Sequence, residues 1–405
     1  MAVRYIYTKG TFVMYDIKCF VYKFYLRCRM YYGYYVRKGY RSFQSMHCEN
    51  DERPLVVHYI THNQFTYGYI VFMQKCLREY RHVFFSTRGD YDYDLIKLAD
   101  VYLISNWKWF FLNDQAKKVL RTAAKVVFSG AFDRSLLYLM PEYVLKKTYL
   151  HFWGGDFYSF RDPVKGSCEI MKRRLFVDQL SRCAGGVTLM EEDWPLIKSV
   201  LHLPDSFRLF SAPMWHDPSH KIGELDFHKQ DDVLRITVGN SATKENRHID
   251  VFEMLRHVKN EQIEIWCPLS YGDPDYAAEV IRRGKAVFGD KFHALTQFMK
   301  LDEYMQYLAN CDVGIFNINR QQAGGNVLYL LYLGKKIYID IETATYSFYK
   351  KLGGHLFDIS MLKEQKFDEI MAFDKKLAED NRRICISYYD DSEVAQRKWR
   401  AVLES

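Results

Sequence analysis

From Asn317 to Asn326 the chain reads N-I-N-R-Q-Q-A-G-G-N and then becomes apolar. The run before it, Val313–Phe316, has the length and composition of a buried strand. A strand, a glycine-containing loop and a helix start put free backbone N–H groups at the carboxyl edge of a parallel sheet. Such an edge binds a diphosphate through its amides and the positive end of the helix dipole. Gly324 and Gly325 let backbone approach phosphate oxygens closely. Arg320 adds a permanent positive charge suited to phosphate, and Gln321, Gln322 and Asn326 offer hydrogen bonds to sugar or phosphate oxygens. An ordinary βα loop with glycine for turn geometry has the same spacing, so both readings stand on these residues alone.

Three further loops carry chemistry at strand ends. Gly239, Asn240 and Ser241 follow the apolar run VLRITV. Pro268, Leu269, Ser270, Tyr271 and Gly272 follow IEIWC, where a base or ribose could rest on Leu269 and Tyr271. His151 and Phe152 close the run TYLHF, and Trp153, Gly154, Gly155 and Asp156 follow it. Trp153 offers a face for stacking on a sugar, and Gly154 and Gly155 permit a tight turn. Asp156, with His151, is the candidate base for a hydroxyl nucleophile; an N-cap role for Asp156 is the alternative. His62 and Asn63 sit in a polar loop after the first strand and are assigned to contacts with an acceptor. Asp90, Asp92 and Asp94 form overlapping DxD triplets, a weak divalent-metal pattern in an acidic turn. His58 and His62 are four apart but straddle a strand and its loop, so they share no face and have no completing ligands. No metal site is assigned.

The elements that must position these loops alternate. Strands are expected at 55–60, 82–86, 101–104, 125–129 and 148–152, with helices at 69–80, 114–124 and 132–140 between them. A polar linker is expected at 216–232. Strands follow at 233–238, 263–267, 292–295, 313–316 and 336–339, separated by helices at 249–259, 275–287, 301–310 and from 327. Strands alternating with helices mean βαβ units and a parallel sheet. The expected organisation is an N-terminal extension at 1–53, an acceptor domain at 54–215, the linker at 216–232, a nucleotide-sugar domain at 233–385 and a C-terminal helix at 386–405. The fold class is α/β, two Rossmann-like doubly wound domains facing a cleft.

A chain of 405 residues is too long for one ordinary core. Its nine cysteines form no CxxC pair or disulfide ladder, which reads as a reducing compartment. No apolar stretch reaches the length of a membrane span, and no secretory signal is expected at the N-terminus. Residues 1–48 hold nine Lys/Arg against one acidic residue, Asp16, and so account for the net charge of +7. The remainder is close to neutral, which argues against nucleic acid as a partner. The same segment carries ten of the 32 tyrosines. It fits contact with an anionic membrane surface, or else a solvated extension.

Three motifs in order resemble a known family. HFWGGDFY at 151–158 is similar to its W-H-I-W-G-A-D-L-Y segment, VGNSATKENRHI at 238–249 to V-G-N-S-G-D-x-S-N-x-H-I, and the stretch at 304–326 to Y-L-x-L-L-x-x-C-D-L-G-Y-F-x-x-x-R-Q-Q-G-I-G. The family is the TDP-N-acetylfucosamine:lipid II N-acetylfucosaminyltransferases, glycosyltransferase family 56, of enterobacterial common antigen synthesis. The resemblance covers roughly 55–340. It implies a GT-B fold, a nucleotide-activated deoxy-amino sugar donor and an undecaprenyl-diphosphate-linked glycan acceptor. It also implies a peripheral position on the cytoplasmic face of the bacterial inner membrane. It places Asp156 near the acceptor, and Asn240, Arg320, Gln321 and Gln322 near the donor. No metal or cofactor is expected, since amides, helix dipole and Arg320 can stabilise the diphosphate. RQQAGGN departs from RQQGIG, which leaves open a UDP- or GDP-sugar donor serving capsule or O-antigen. A non-catalytic nucleotide-binding scaffold is the third reading.

Overall fold

The structure, a computed structural model, describes residues 9–38, 51–60, 66–87, 98–104, 110–131, 134–164, 166–213, 231–390 and 392–405. His62, Asn63, the acidic triplets at 90–94 and most of the expected linker lie outside the described residues. The chain divides into two compact units, residues 1–216 with 395–405, and residues 217–394.

The first unit is built on Leu55–Ile60 (β1), Arg81–Thr87 (β2), Val101–Ile104 (β3), Lys125–Ser129 (β4), Thr148–His151 (β5), Gly185–Thr188 (β6) and Leu209–Ser211 (β7). They pair in parallel in the order β3-β2-β1-β4-β5-β6-β7. Val56 to Ile60 of β1 are all buried, as expected of a parallel strand with both faces covered. His58 belongs to that interior. Its Nδ1 lies 2.9 Å from the Tyr69 hydroxyl and its Nε2 2.9 Å from His82 Nδ1. Strands β6 and β7 have no counterpart among the expected elements. β6 opens with two glycines because space demands them. A Cβ on Gly185 would fall 2.7 Å from the Arg208 carbonyl oxygen, and one on Gly186 2.7 Å from the Phe152 ring.

The second unit contains Leu234–Val238 (β8), Ile263–Pro268 (β9), Phe292–Leu295 (β10), Val313–Phe316 (β11), Lys336–Ile339 (β12) and the short Phe357–Asp358 (β13). Their order is β10-β9-β8-β11-β12-β13, parallel throughout. Counted along the chain this is 3-2-1-4-5-6, so strand order reverses between β8 and β11. Ligands of such sheets bind outside the carboxyl ends of the strands at that reversal. In the first unit the reversal lies between β1 and β4.

Helix boundaries shift by a few residues. The helix expected at 69–80 spans Thr66–Cys76, since the chain must turn at Leu77–Tyr80 to enter β2. The one expected at 249–259 is His248–Leu255 followed by a 3-10 turn, Arg256–Val258.

The two ends of the chain both pack on the first unit. Lys9–Tyr31 forms a helix (α1) within the basic, aromatic N-terminal extension read from the sequence. Leu26, Met30 and Tyr34 are buried in the core of this unit, with Cys19 and Tyr22 half-buried beside them. The spacing of these positions is that of one helical face. Tyr22 meets Tyr138 edge-on at 6.2 Å, and Asp16 pairs with Arg174 at 3.3 Å. At the other end, helix Ser392–Leu403 buries Trp399. The Trp399 ring lies 5.6 Å from both Tyr69 and His151, and its indole N–H donates to the Pro213 carbonyl. Among the described residues no helix is long and apolar enough to cross a membrane.

Candidate active site

In the second unit the reversal brings two of the predicted loops together. Gly239 leaves β8 with φ at +67° and donates its N–H to the Ile315 carbonyl of β11 at 2.9 Å. A Cβ there would sit 2.5 Å from His248 Nε2, so both backbone and packing require glycine. The loop that follows is ordered by Asn246, a buried residue. Its side-chain oxygen accepts from Asn240 N, and its amide donates to the Ser241 carbonyl at 2.9 Å and to Thr243 Oγ1 at 3.0 Å. Asn240 Nδ2 donates to the Tyr271 hydroxyl at 3.0 Å. Ala242 N donates to the Tyr271 carbonyl, and Asp273 N to the Ala242 carbonyl. The loops after β8 and β9 are therefore joined side by side. Pro268 and Leu269 are buried beneath them, while Tyr271 is exposed.

The loop after β11 is held from below by Arg247. This residue adopts the left-handed conformation, with φ at +45°. Its guanidinium donates to the carbonyls of Asn317 and Ile318 and to Asp340 Oδ2 at 2.7 Å. One side chain thus ties the ends of β11 and β12 to the start of helix His248–Leu255. Arg320 Nε lies 3.7 Å from Glu245 and makes no hydrogen bond among the described residues. Gln322 Nε2 and Asn240 Oδ1 are likewise buried without hydrogen-bond partners among those residues. Gln321 is buried, and Asn326 donates to the Tyr304 hydroxyl at 2.7 Å.

Helix Gly324–Tyr332 begins after Ala323, itself left-handed at φ +57°. Its first internal bond runs from Val327 N to the Ala323 carbonyl, so the amides of Gly324, Gly325 and Asn326 face outward from the helix start. A Cβ on Gly324 would meet nothing within 4 Å, and one on Gly325 would meet only Tyr329, at 3.9 Å. Neither glycine has positive φ. Backbone strain and crowding therefore explain neither of them. What their missing side chains create is open space before three amides at the positive end of a helix.

In the first unit, Gly154 turns the chain after β5 with φ at +91°. Asp156 then folds back, accepting from Trp153 N at 3.1 Å and from Ala131 N at 3.3 Å. Ala131 follows β4, so the carboxylate sits between the carboxyl ends of β4 and β5, beside the reversal of this sheet. Burial pushes Asp156 up to about 6, against the opposing pull of these amides and of Arg134. Asp156, Ala131 and Gly155 nevertheless border an open pocket of about 320 Å³, shared with Arg134, Tyr138 and Lys172. A second buried carboxyl, Asp193, accepts from the Tyr158 hydroxyl at 2.8 Å and is pushed up to about 7, mainly by burial.

His151 is fully buried, and burial depresses it to about 4, so its ring is neutral at physiological pH. It packs against Trp153 and Trp399 rather than opening to solvent. Trp153 is half-buried, with its indole N–H on Ser129 Oγ at 2.8 Å. Among the described residues no three His, Cys, Asp or Glu gather as a metal site.

Sequence reasoning passed over Asn246, Arg247, Ala131 and Ser129. Asn246 and Arg247 stand inside the ENRHI segment, but their role is to hold other loops, and no local spacing reveals that.

Solved structures share this architecture. The N-terminal domain of Candida albicans trehalose-6-phosphate phosphatase superposes with a TM-score of 0.60 at 12% identity, over 90% of this chain and 99% of that one. The E. coli trehalose-6-phosphate structure bound with UDP-2-fluoro glucose gives 0.60 at 10% identity, over 87% and 99%. WaaG, a glycosyltransferase involved in lipopolysaccharide biosynthesis, gives 0.57 at 13% identity, over 86% and 98%. Two parallel doubly wound sheets, with glycine-bearing loops at the second reversal, define the GT-B glycosyltransferase class. Within that class, the chain belongs to the family described as 4-alpha-L-fucosyltransferase, glycosyl transferase group 56, which matches residues 112–404. This is the family that its three sequence motifs resemble, and the chain is a glycosyltransferase.

Proposed function

We propose that this enzyme moves a deoxy-amino sugar, N-acetylfucosamine from its TDP-linked form, to an undecaprenyl-diphosphate-linked glycan in bacterial surface polysaccharide synthesis. Enterobacterial common antigen is the polysaccharide the family implies. The observation that carries the donor assignment is the unfilled space before the first-turn amides of helix Gly324–Tyr332. A diphosphate there would gain N–H donors, the helix dipole and the charge of Arg320. Asn240, Gln321, Gln322 and Asn326 would bind sugar or phosphate oxygens, and the exposed Tyr271 would take the base or ribose, with the buried Leu269 supporting the loop beneath it. Asp156 accepts the proton of the acceptor hydroxyl, and Trp153, Gly154 and Gly155 line its approach. His151, being buried, supports that turn from behind. His62 and Asn63 remain acceptor contacts proposed from sequence.

A peripheral position on the cytoplasmic face of the inner membrane is supported by α1. Phe20 and Phe24 are more than 60% exposed on it, among exposed Lys18, Arg27 and Arg29.

A UDP- or GDP-sugar donor is the second reading, favoured by the shifted glycines of RQQAGGN. Calorimetry with TDP, UDP and GDP separates the two. TDP is expected to bind most tightly, with affinity unchanged by EDTA. Tighter UDP or GDP binding would replace the donor assignment, and strict dependence on Mn²⁺ would remove the metal-free mechanism.

A further inference from the structure

The pocket at Asp156 has a neighbour. Tyr22 lines it on one side and also lines a second hollow of about 510 Å³, between α1 and helix Ser167–Leu180. Both volumes suit small-molecule sites, ~300–1,000 Å³. The second hollow is largely apolar, walled by Ile17, Val21 and Tyr25 on α1 and by Cys168 and Met171 opposite. Positions 17, 21 and 25 form one i, i+4 stripe of the helix. Phe20 and Phe24 lie on another stripe and take no part in the trough. Ile17, Val21 and Tyr25 are themselves more than half exposed, so the trough opens to solvent along α1 and adjoins the stripe of Phe20 and Phe24. A chain-like apolar group fits the trough. An anionic head attached to it would reach the polar pocket, where Lys172 stands, where Arg134 pairs with Glu169 at 3.7 Å and would exchange that carboxylate for the head, and where Asp156 holds its carboxylate.

We propose that the trough seats the first isoprenoid units of the acceptor lipid, that Arg134 and Lys172 hold its diphosphate, and that the glycan then lies at Asp156. This rests on the lipid-linked acceptor of the proposed function. It adds that the enzyme reads the lipid itself, as one chain in a trough beside the membrane-facing stripe.

The test uses the full chain and farnesyl diphosphate, with inorganic pyrophosphate and farnesol as partial probes. Farnesyl diphosphate should bind roughly tenfold or more tightly than either fragment. Val21→Asp and Lys172→Glu should each weaken it by a similar factor. Phe24→Asp should leave it unchanged while abolishing salt-sensitive sedimentation with phosphatidylglycerol vesicles. Unchanged melting temperature and nucleotide binding show that the variants fold. In the native protein, farnesyl diphosphate should protect Cys168 from a maleimide, while Cys28, exposed on α1 outside the trough, keeps reacting. Equal binding of farnesyl diphosphate and pyrophosphate, or equal damage from Val21→Asp and Phe24→Asp, overturns the proposal. So does a Cys168 that reacts equally with and without the probe. Normal transfer to a lipid-linked glycan alongside those results would sink the trough and keep the function. A trough that binds as expected, in an enzyme that transfers to no lipid-linked glycan, would sink the acceptor assignment and the trough's role as the acceptor's seat, leaving a polyprenyl-diphosphate site of another role.

Discussion

Asp156, the base of the proposed mechanism, is also a structural acceptor. The N–H groups of Ala131 and Trp153 stabilise its charge, yet burial outweighs them and raises it from 3.8 to about 6. Such a carboxyl is ionised at neutral pH but holds a returning proton far better than an exposed aspartate. In the proposed mechanism the ionised form is the active one, so kcat/KM is expected to fall as pH drops through about 6 and to level off above it. Asp156→Asn should lower kcat/KM by ~10²–10⁴-fold and erase that acid limb. A limb that survives in the variant would assign the base elsewhere. The type of residue at 156 was legible in the sequence; its burial was not, because Ala131 is 25 positions away.

At the scale of the element, two glycines make opposite predictions. Gly239→Ala places a Cβ 2.5 Å from His248 Nε2 on a backbone at φ +67°. It should cost ~1–3 kcal/mol, read as a lower melting temperature. Gly324→Ala meets no atom within 4 Å and improves helix propensity by up to ~1 kcal/mol. Its melting temperature should hold or rise, while donor-nucleotide affinity falls by roughly tenfold, ~1.4 kcal/mol. Unchanged affinity in Gly324→Ala would mean that the helix start is not the diphosphate cradle. The sequence marked both loops as glycine-bearing strand ends. It did not distinguish a glycine demanded by the fold from one that leaves space for a ligand, because that difference is set by what lies opposite in the folded chain.

At the scale of the whole molecule, the last helix matters out of proportion to its length. Trp399 lies under β5 against Tyr69 and His151, so residues 395–405 complete the unit that the chain left near residue 216. Trp399→Ala should destabilise the first unit by ~3–5 kcal/mol. Calorimetry should then resolve two transitions, the earlier one from the first unit, with nucleotide binding persisting above it. Equal loss of both transitions would contradict that division. The sequence by itself determined the alternation of strands and helices, most strand positions, the glycine-bearing loops and the family motifs. These are local patterns of apolar runs and turn residues. The sheet order, and with it the meeting of the loops after β8 and β11, was decided only by tertiary structure, because pairing between distant strands leaves no period in the chain. The same holds for β6 and β7: both are short, and the two glycines of β6 look like loop until Arg208 and Phe152 are seen to leave no room for a side chain. It holds for α1 and the turn after it, whose aromatic and basic composition hides the stripe that Leu26, Met30 and Tyr34 bury in the core.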